Sequence, residues 1–270
     1  YNDFGVYMNR IVVITGGSSG IGKEMVEIYK NCGDNVFSLA RSIPQNDNEI
    51  EVDVTNEQQV KLAIEQIGTK FGRIDILINC AGYGISGALE LIPTKEAEKE
   101  FDVNMLGAFI VNKYAIRFMK KGSTIVHIAS ACALFALPFR GLYCASKSAL
   151  NMYSDSLRME LKPFGIKVIS ICPGDVKTNF TKNRVKIAIT NERYQDRISN
   201  SAYNIDKNQE KRMAATMVAK KIVKIANKKS PKPMYIIGAK YKFLYFASKI
   251  FPKRTLLHFT EKMFNGKKKK

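Results

Sequence analysis

Short apolar runs alternate along this chain with stretches whose apolar residues recur at helical spacing. The run "RIVVIT" is brief and rich in β-branched residues, which predicts a buried strand. A glycine turn, "GGSSGIG", follows, and then "KEMVEIYKNCG", whose three- and four-residue apolar repeat and closing Gly33 predict a helix. "NVFSLAR" predicts a second strand and "EIEVDVT" a third. A short polar loop around Pro44 to Asn48 joins them, where a helix would ordinarily cross between parallel strands. "NEQQVKLAIEQIGTKFG" predicts a helix capped by Thr55 or Asn56. The remaining pattern predicts strands at "IDILINCAG", "STIVHIAS", "IKVISICPG" and "PMYIIG", with helices over 94–121 and 143–162.

Strand–helix alternation of this kind implies a parallel sheet with helices on both faces. The strands are near-continuous apolar runs, as a sheet covered on both sides requires. The expected fold class is therefore α/β, a doubly wound parallel seven-stranded (Rossmann-like) sheet with helices on both faces, spanning 8–238 as one domain. Residues 239–270 form a basic, aromatic extension. Met8 reads as a start, so 1–7 are expected to be a cloning remnant or a short upstream extension.

Composition narrows the class. A chain of 270 residues that is 46% hydrophobic suits one sizeable core. No apolar run approaches the ~20 residues that span a bilayer, and the N-terminus lacks a basic-then-apolar leader. Five cysteines without a CxxC pair predict reduced thiols rather than a disulfide frame or a metal site. With only His127 and His258, histidine catalysis and most metal centres are disfavoured; His127, inside an apolar run, is expected in the core. The charge is lopsided. Residues 207–270 carry 19 Lys and Arg against Glu210 and Glu261, whereas 1–206 carry 24 bases and 22 acids. The tail's excess needs its own explanation.

The chemistry begins at the glycine turn. Gly16, Ser18, Ser19, Gly20, Ile21 and Gly22 lie between a strand and a helix, where a tight turn lets a diphosphate approach free N–H groups and the helix dipole. At the end of the second strand an acid would bind ribose hydroxyls and repel a 2′-phosphate. This chain has Ala40 and Arg41 there, which favours NADP(H) over NAD(H). Asp53 and Val54 are expected near the adenine, and Asn79, Ala81 and Gly82 along the cofactor wall. In "YCASK", Tyr143 and Lys147 share a helix face at i, i+4. A lone pair of this kind is commonly just a surface pair. An ammonium beside a phenol, however, favours tyrosinate and would bring a tyrosine toward neutrality as an acid–base group.

Taken in order, the glycine turn, "NCAG", "DVNMLG", "HIAS", "YCASK" and "PGDVKT" resemble the short-chain dehydrogenase/reductase family, in its compact branch, over residues 8–182. Cys80 departs from the family's usual asparagine. "ALPFRGLYCASKSAL", "CAGYGISGALEL" and "PGDVKTNF" look like the 17β-hydroxysteroid and retinol-type members. The resemblance implies an oxidoreductase in which Tyr143 is the acid/base, Ser130 hydrogen-bonds the substrate oxygen, and Lys147 binds the nicotinamide ribose. It also implies that Asn104 holds a water linking Lys147 to solvent, and that Pro173, Gly174, Val176 and Thr178 flank the nicotinamide.

The apolar loop "ACALFALPF" at 131–139 is expected to face a bulky hydrophobic ketone or alcohol, steroid-, retinoid- or lipid-like, under a lid at about 179–212. The lid's polar composition carries no expectation about the ligand. The tail is expected to form two short helices broken near Pro252. They would close the pocket, pack in a homodimer or homotetramer, or lie on an anionic membrane with aromatics inserted. The setting is expected to be cytoplasmic, with peripheral membrane contact on that last reading. Nucleic acid is disfavoured, because no binding motif accompanies the charge. Two non-enzymatic alternatives are a dinucleotide sensor and a membrane-surface binding protein with a structural nucleotide site.

Overall fold

A computed structural model of the chain describes residues 9–42, 48–180, 183–187, 192–194, 196–206 and 212–264. Seven parallel strands form the main sheet: β1 (Ile11–Thr15), β2 (Asn35–Ala40), β3 (Glu49–Glu51), β4 (Ile76–Asn79), β5 (Thr124–Ile128), β6 (Lys167–Pro173) and β7 (Met234–Ile237). Their order is β3-β2-β1-β4-β5-β6-β7. The helices are α1 (Gly20–Asn31), α2 (Glu57–Phe71), α3 (Thr94–Phe101), α4 (Gly107–Ala115), α5 (Gly141–Leu161), α6 (Arg197–Asp206), α7 (Ala215–Ala226), α8 (Ala239–Ile250) and α9 (Lys253–Phe264).

Successive strand residues point to opposite faces, so a continuous apolar run feeds two cores. Ile11 and Val13 join Phe37, Leu39, Ile64, Ile67 and Val111 on the side of α2 and α4. Val12 and Ile14 join Met25, Val26, Val218 and Ile222 on the side of α1 and α7. Each such side chain taken from water contributes roughly 1.5–3 kcal/mol, and both layers depend on it. The sheet order reverses at β1/β4, which opens a crevice at the carboxyl ends of those strands.

Local signals account for most boundaries. Asn56 caps α2 by accepting from the Gln59 N–H at 3.1 Å, and Gly72 ends it in the left-handed region. The helix expected over 94–121 is broken. A π-helical turn at Asp102–Leu106 separates α3 from α4, and a 3₁₀ turn follows at Ile116–Phe118. The wider turn carries Asn104 into the interior. Immediately after it, a Cβ on Gly107 would lie 2.7 Å from Val54 Cγ2, so the chain passes hard against the segment after β3. The third strand is shorter than expected and stops at Glu51. Of the polar loop at 44–48, only Asn48 lies among the described residues, and residues 1–8 lie outside them. The tail forms two helices on either side of Pro252.

Candidate active site

The glycine turn is shaped by close approach. The Thr15 hydroxyl accepts from the N–H groups of Cys80 and Ala81, both at 3.1 Å, and ties the end of β1 to the end of β4. Gly16 has φ +69°, and a Cβ there would lie 2.9 Å from the Ala81 backbone. A Cβ on Gly22 would lie 2.2 Å from the Gly16 carbonyl oxygen. Side chains would therefore fill the floor of this cradle. Ser19 leads into α1 without a side-chain cap bond, and the first turn holds no acid, so its N–H groups face the cradle ready for an anion. These features fit a dinucleotide diphosphate.

From the turn a cleft of about 530 Å³ runs along the strand ends. It gathers Gly16, Ser18, Ser19, Gly20, Ile21, Gly22, Arg41, Asp53, Val54, Ala81, Gly82, Ser130, Tyr143, Lys147, Pro173, Gly174, Val176 and Thr178 on one continuous wall. Arg41 is exposed at the end of β2. Asp53 folds back on its own turn, its Oδ1 accepting from both the N–H and the hydroxyl of Thr55.

The Asn79 side chain turns away from the cleft, and its amide donates to Asn112 Oδ1 at 2.9 Å inside the core. Asn112 in turn bonds His127 Nε2 at 2.8 Å, and His127 Nδ1 meets the Ser154 hydroxyl at 2.6 Å. Strand alternation is the reason: with Ala81 and Gly82 beyond the strand end forming the wall, Asn79 still belongs to β4 and points into a layer. His127 is a core residue as expected, held neutral with its pKa pushed down to about 3 by burial and by the Lys147 charge.

Asn104 also stands outside the cleft. Its side-chain oxygen accepts from the Tyr83 N–H at 2.8 Å, and its amide donates to the Tyr83 carbonyl at 2.9 Å and the Ser146 hydroxyl at 3.0 Å. It fastens the wall after β4 to α5, one residue before Lys147. A Cβ on Gly82 would sit 3.6 Å from both Asn104 Oδ1 and Lys147 Nζ. These bonds hold the side chain in place beside Lys147.

Ser130 lies two residues beyond β5, and its side-chain oxygen accepts from the Cys132 N–H at 3.1 Å, which starts the next turn. Ser130 and Tyr143 line the same cleft. Lys147 is buried, donates to the Ile128 carbonyl at 3.0 Å, and has its pKa pushed down to about 8 by desolvation. Burial pushes the Tyr143 phenol up, and the cations that oppose this are Arg184 and Arg140.

Several residues that face the cleft escape motif reading. Arg140, Arg184 and Arg212 line it, as do Cys132, Phe180 and Tyr241. The apolar loop contributes less than expected. Only Ala131 and Cys132 of 131–139 reach the cleft, because the turn capped by Ser130 directs the rest elsewhere. Phe139, with φ +60°, packs edge-on against Tyr194 at 6.0 Å. Tyr241 of α8 donates to Asp175 Oδ2, and Gly174 makes room for its ring. The start of the tail thus closes one side of the cleft. The one signal for the arginines was charge in the lid and just before "YCASK".

Known proteins agree with this construction. The profile of the short chain dehydrogenase family matches residues 10–188. A 3-ketodihydrosphingosine reductase from Bacteroides thetaiotaomicron is 34% identical over 262 residues, covering 94% of this chain and 97% of that protein. A probable short-chain type dehydrogenase/reductase, VdlC, from Helicobacter pylori is 35% identical over 256 residues, covering 90% and 93%. A short chain dehydrogenase from Burkholderia cenocepacia, solved in complex with NADP, superposes with a TM-score of 0.72 at 22% identity, covering 93% and 97%, and so shares the fold. By profile and by full-length likeness, this chain belongs to the short-chain dehydrogenase/reductase family of oxidoreductases.

Proposed function

We propose that the chain is an NADP(H)-dependent oxidoreductase acting on a hydrophobic ketone or secondary alcohol, with Tyr143 as its acid/base. The carrying observation is that Ser130, Tyr143 and Lys147 lie on the same cleft wall as the glycine cradle. Among steroid-, retinoid- and lipid-like substrates, the lipid-like class has the support of the reductase relative from Bacteroides thetaiotaomicron.

When bound, the nicotinamide dinucleotide supplies hydride transfer. The turn from Gly16 to Gly22 would hold its diphosphate and Arg41 its 2′-phosphate. Asp53 and Val54 would border the adenine, and Pro173, Gly174, Val176 and Thr178 the nicotinamide end. The chain's own residues manage the proton. Burial keeps the Tyr143 phenol protonated, so in reduction it gives its proton to the substrate oxygen; in oxidation tyrosinate takes the alcohol proton. Ser130, on the same cleft lining as Tyr143, directs its hydroxyl to the same oxygen and supports developing negative charge. Lys147 sits one helical turn below, and its lowered pKa lets it exchange a proton near neutral pH.

A screen of long-chain and cyclic ketones with NADPH and NADH in parallel tests this reading. Tyr143→Phe is expected to lower kcat by at least about a hundredfold while leaving the Kd for NADPH within about twofold. Undiminished turnover in that variant removes the mechanism; a clear NADH preference removes the role of Arg41.

Self-association is supported by Phe109 on α4 and by Met152 and Met159, one heptad apart on α5, all exposed. Sedimentation velocity is expected to show a dimer or tetramer that Met152→Glu with Met159→Glu converts to monomer. A monomeric wild-type chain refutes the reading.

A further inference from the structure

The chemistry above uses none of the arginines at the substrate end of the cleft. Arg184 lies against the reacting tyrosine: its guanidinium carbon is 6.0 Å from the centroid of the Tyr143 ring and 5.7 Å from that of Phe180. A Cβ on Gly84 would lie 3.4 Å from its Nε, so it also covers the wall after β4. Its Nε and Nη1 atoms are buried, and neither has a hydrogen-bond partner among the described residues. Arg140, 7% exposed, and Arg212 line the same space. Both push the Arg184 guanidinium down, alongside the larger effect of burial.

Among the described residues, two acids lie near Arg184. Asp175 lines the cleft, and its carboxylate accepts from Tyr241. Glu100 lies behind the wall within the field of Arg184 and Lys147. Its Oε1 accepts from the Ile85 N–H at 2.9 Å, and burial pushes it up to about 7. A planar guanidinium with open donors, desolvated among like charges, is the arrangement that recognises a carboxylate or phosphate. The cofactor's phosphates belong to the glycine cradle and Arg41, away from the ring of Tyr143.

We propose that Arg184, in the space that Arg140 and Arg212 also line, forms an anion subsite beside Tyr143, so that the substrate is an oxo or hydroxy compound with an apolar body and a carboxylate or phosphate close to the reacting carbon. This rests on the oxidoreductase reading and names its substrate class. The three cations come from the loop before α5 and from both ends of the lid region. The polar composition of the lid thus encodes the substrate's charge, while its apolar contact comes from Phe180.

Calorimetric titration of the NADPH-loaded protein with dodecanoate, dodecyl phosphate and neutral dodecanol tests the subsite without turnover. At least one anion is expected to bind about tenfold or more tightly than dodecanol. Arg184→Met is expected to erase that preference, and Arg184→Lys, which keeps the charge but loses the fork, to retain part of it; the lysine variant keeps the test readable if the methionine variant misfolds. Equal preference in all three proteins, or no preference in the wild type, overturns the subsite. Loss of NADPH affinity in parallel with loss of anion affinity assigns Arg184 to the cofactor and overturns it as well. In a second arm, kcat/KM for 3-oxododecanoate is expected to exceed that for its methyl ester about tenfold, a ratio that Arg184→Met collapses. If neither ketone turns over while anion binding still depends on Arg184, the subsite stands and the oxidoreductase reading fails.

Discussion

Burial pushes the Tyr143 phenol up, and Ser130 together with nearby cations opposes that effect. The i, i+4 spacing shows that Lys147 shares a helix face, but it does not show which cations reach the phenol. Those are Arg184 and Arg140, brought in by loops. The same two guanidiniums act on Cys132, whose thiol is pulled down chiefly by a hydrogen bond with the Cys144 thiol. Cys32, Cys80, Cys144 and Cys172 are all pushed up, Cys80 to about 11. Cys132 also faces the cleft. Iodoacetamide at pH 7 is therefore expected to label Cys132 first and to inactivate the enzyme in step with that labelling. Peptide mass mapping that finds another cysteine modified first contradicts this ordering. Cys144 is buried, and it is the foremost of the influences on Cys132.

Between β4, α4, β5 and α5 runs a hydrogen-bonded chain of Asn79, Asn112, His127, Tyr153 and Ser154 that holds four elements in register. The sequence placed His127 in the core and Asn79 at the cofactor; the structure puts both in this one network. Its histidine makes the assembly acid-sensitive. The folded value near 3 lies below the 6.5 of a free imidazole, so only the unfolded chain takes up a proton between them. The stability that this supplies is present above about pH 6.5 and is lost as pH falls toward 3. Glu100, with a folded value raised to about 7, acts in the opposite direction over part of that window, so a comparison with a variant is needed. The stability gap between wild type and His127→Gln, read from urea midpoints, is expected to narrow from pH 7 to pH 4. A constant gap would falsify the linkage. The π-helical turn at Asp102–Leu106 was hidden for a related reason: a helical period does not reveal one widened turn, and only packing against Val54 calls for it.

For the whole molecule, α8 closes one side of the cleft and also leaves an aromatic face exposed. Tyr241 of α8 borders the cleft, while Phe243, Phe246 and Ile250 stand exposed on α8 beside Lys240, Lys242 and Lys249. None of the described helices is long and apolar enough to cross a membrane. An exposed aromatic face flanked by lysines suits an anionic lipid surface next to the cleft mouth. Vesicles containing phosphatidylserine are expected to co-sediment the wild-type chain, neutral vesicles far less. Phe243→Ser with Phe246→Ser is expected to reduce binding about tenfold or more, and unchanged binding rules out this face as the contact. The sequence by itself determined the strand–helix alternation, the glycine turn, the position of Ser130 and the Tyr143–Lys147 pair, because period, spacing and φ requirements are local properties. Tertiary structure alone decided that Asn79 turns inward, that Asn104 is a brace, and that three arginines meet beside Tyr143. Those outcomes depend on which loops converge at the strand ends and on what burial does to charge there, and neither is a property of any short stretch of chain.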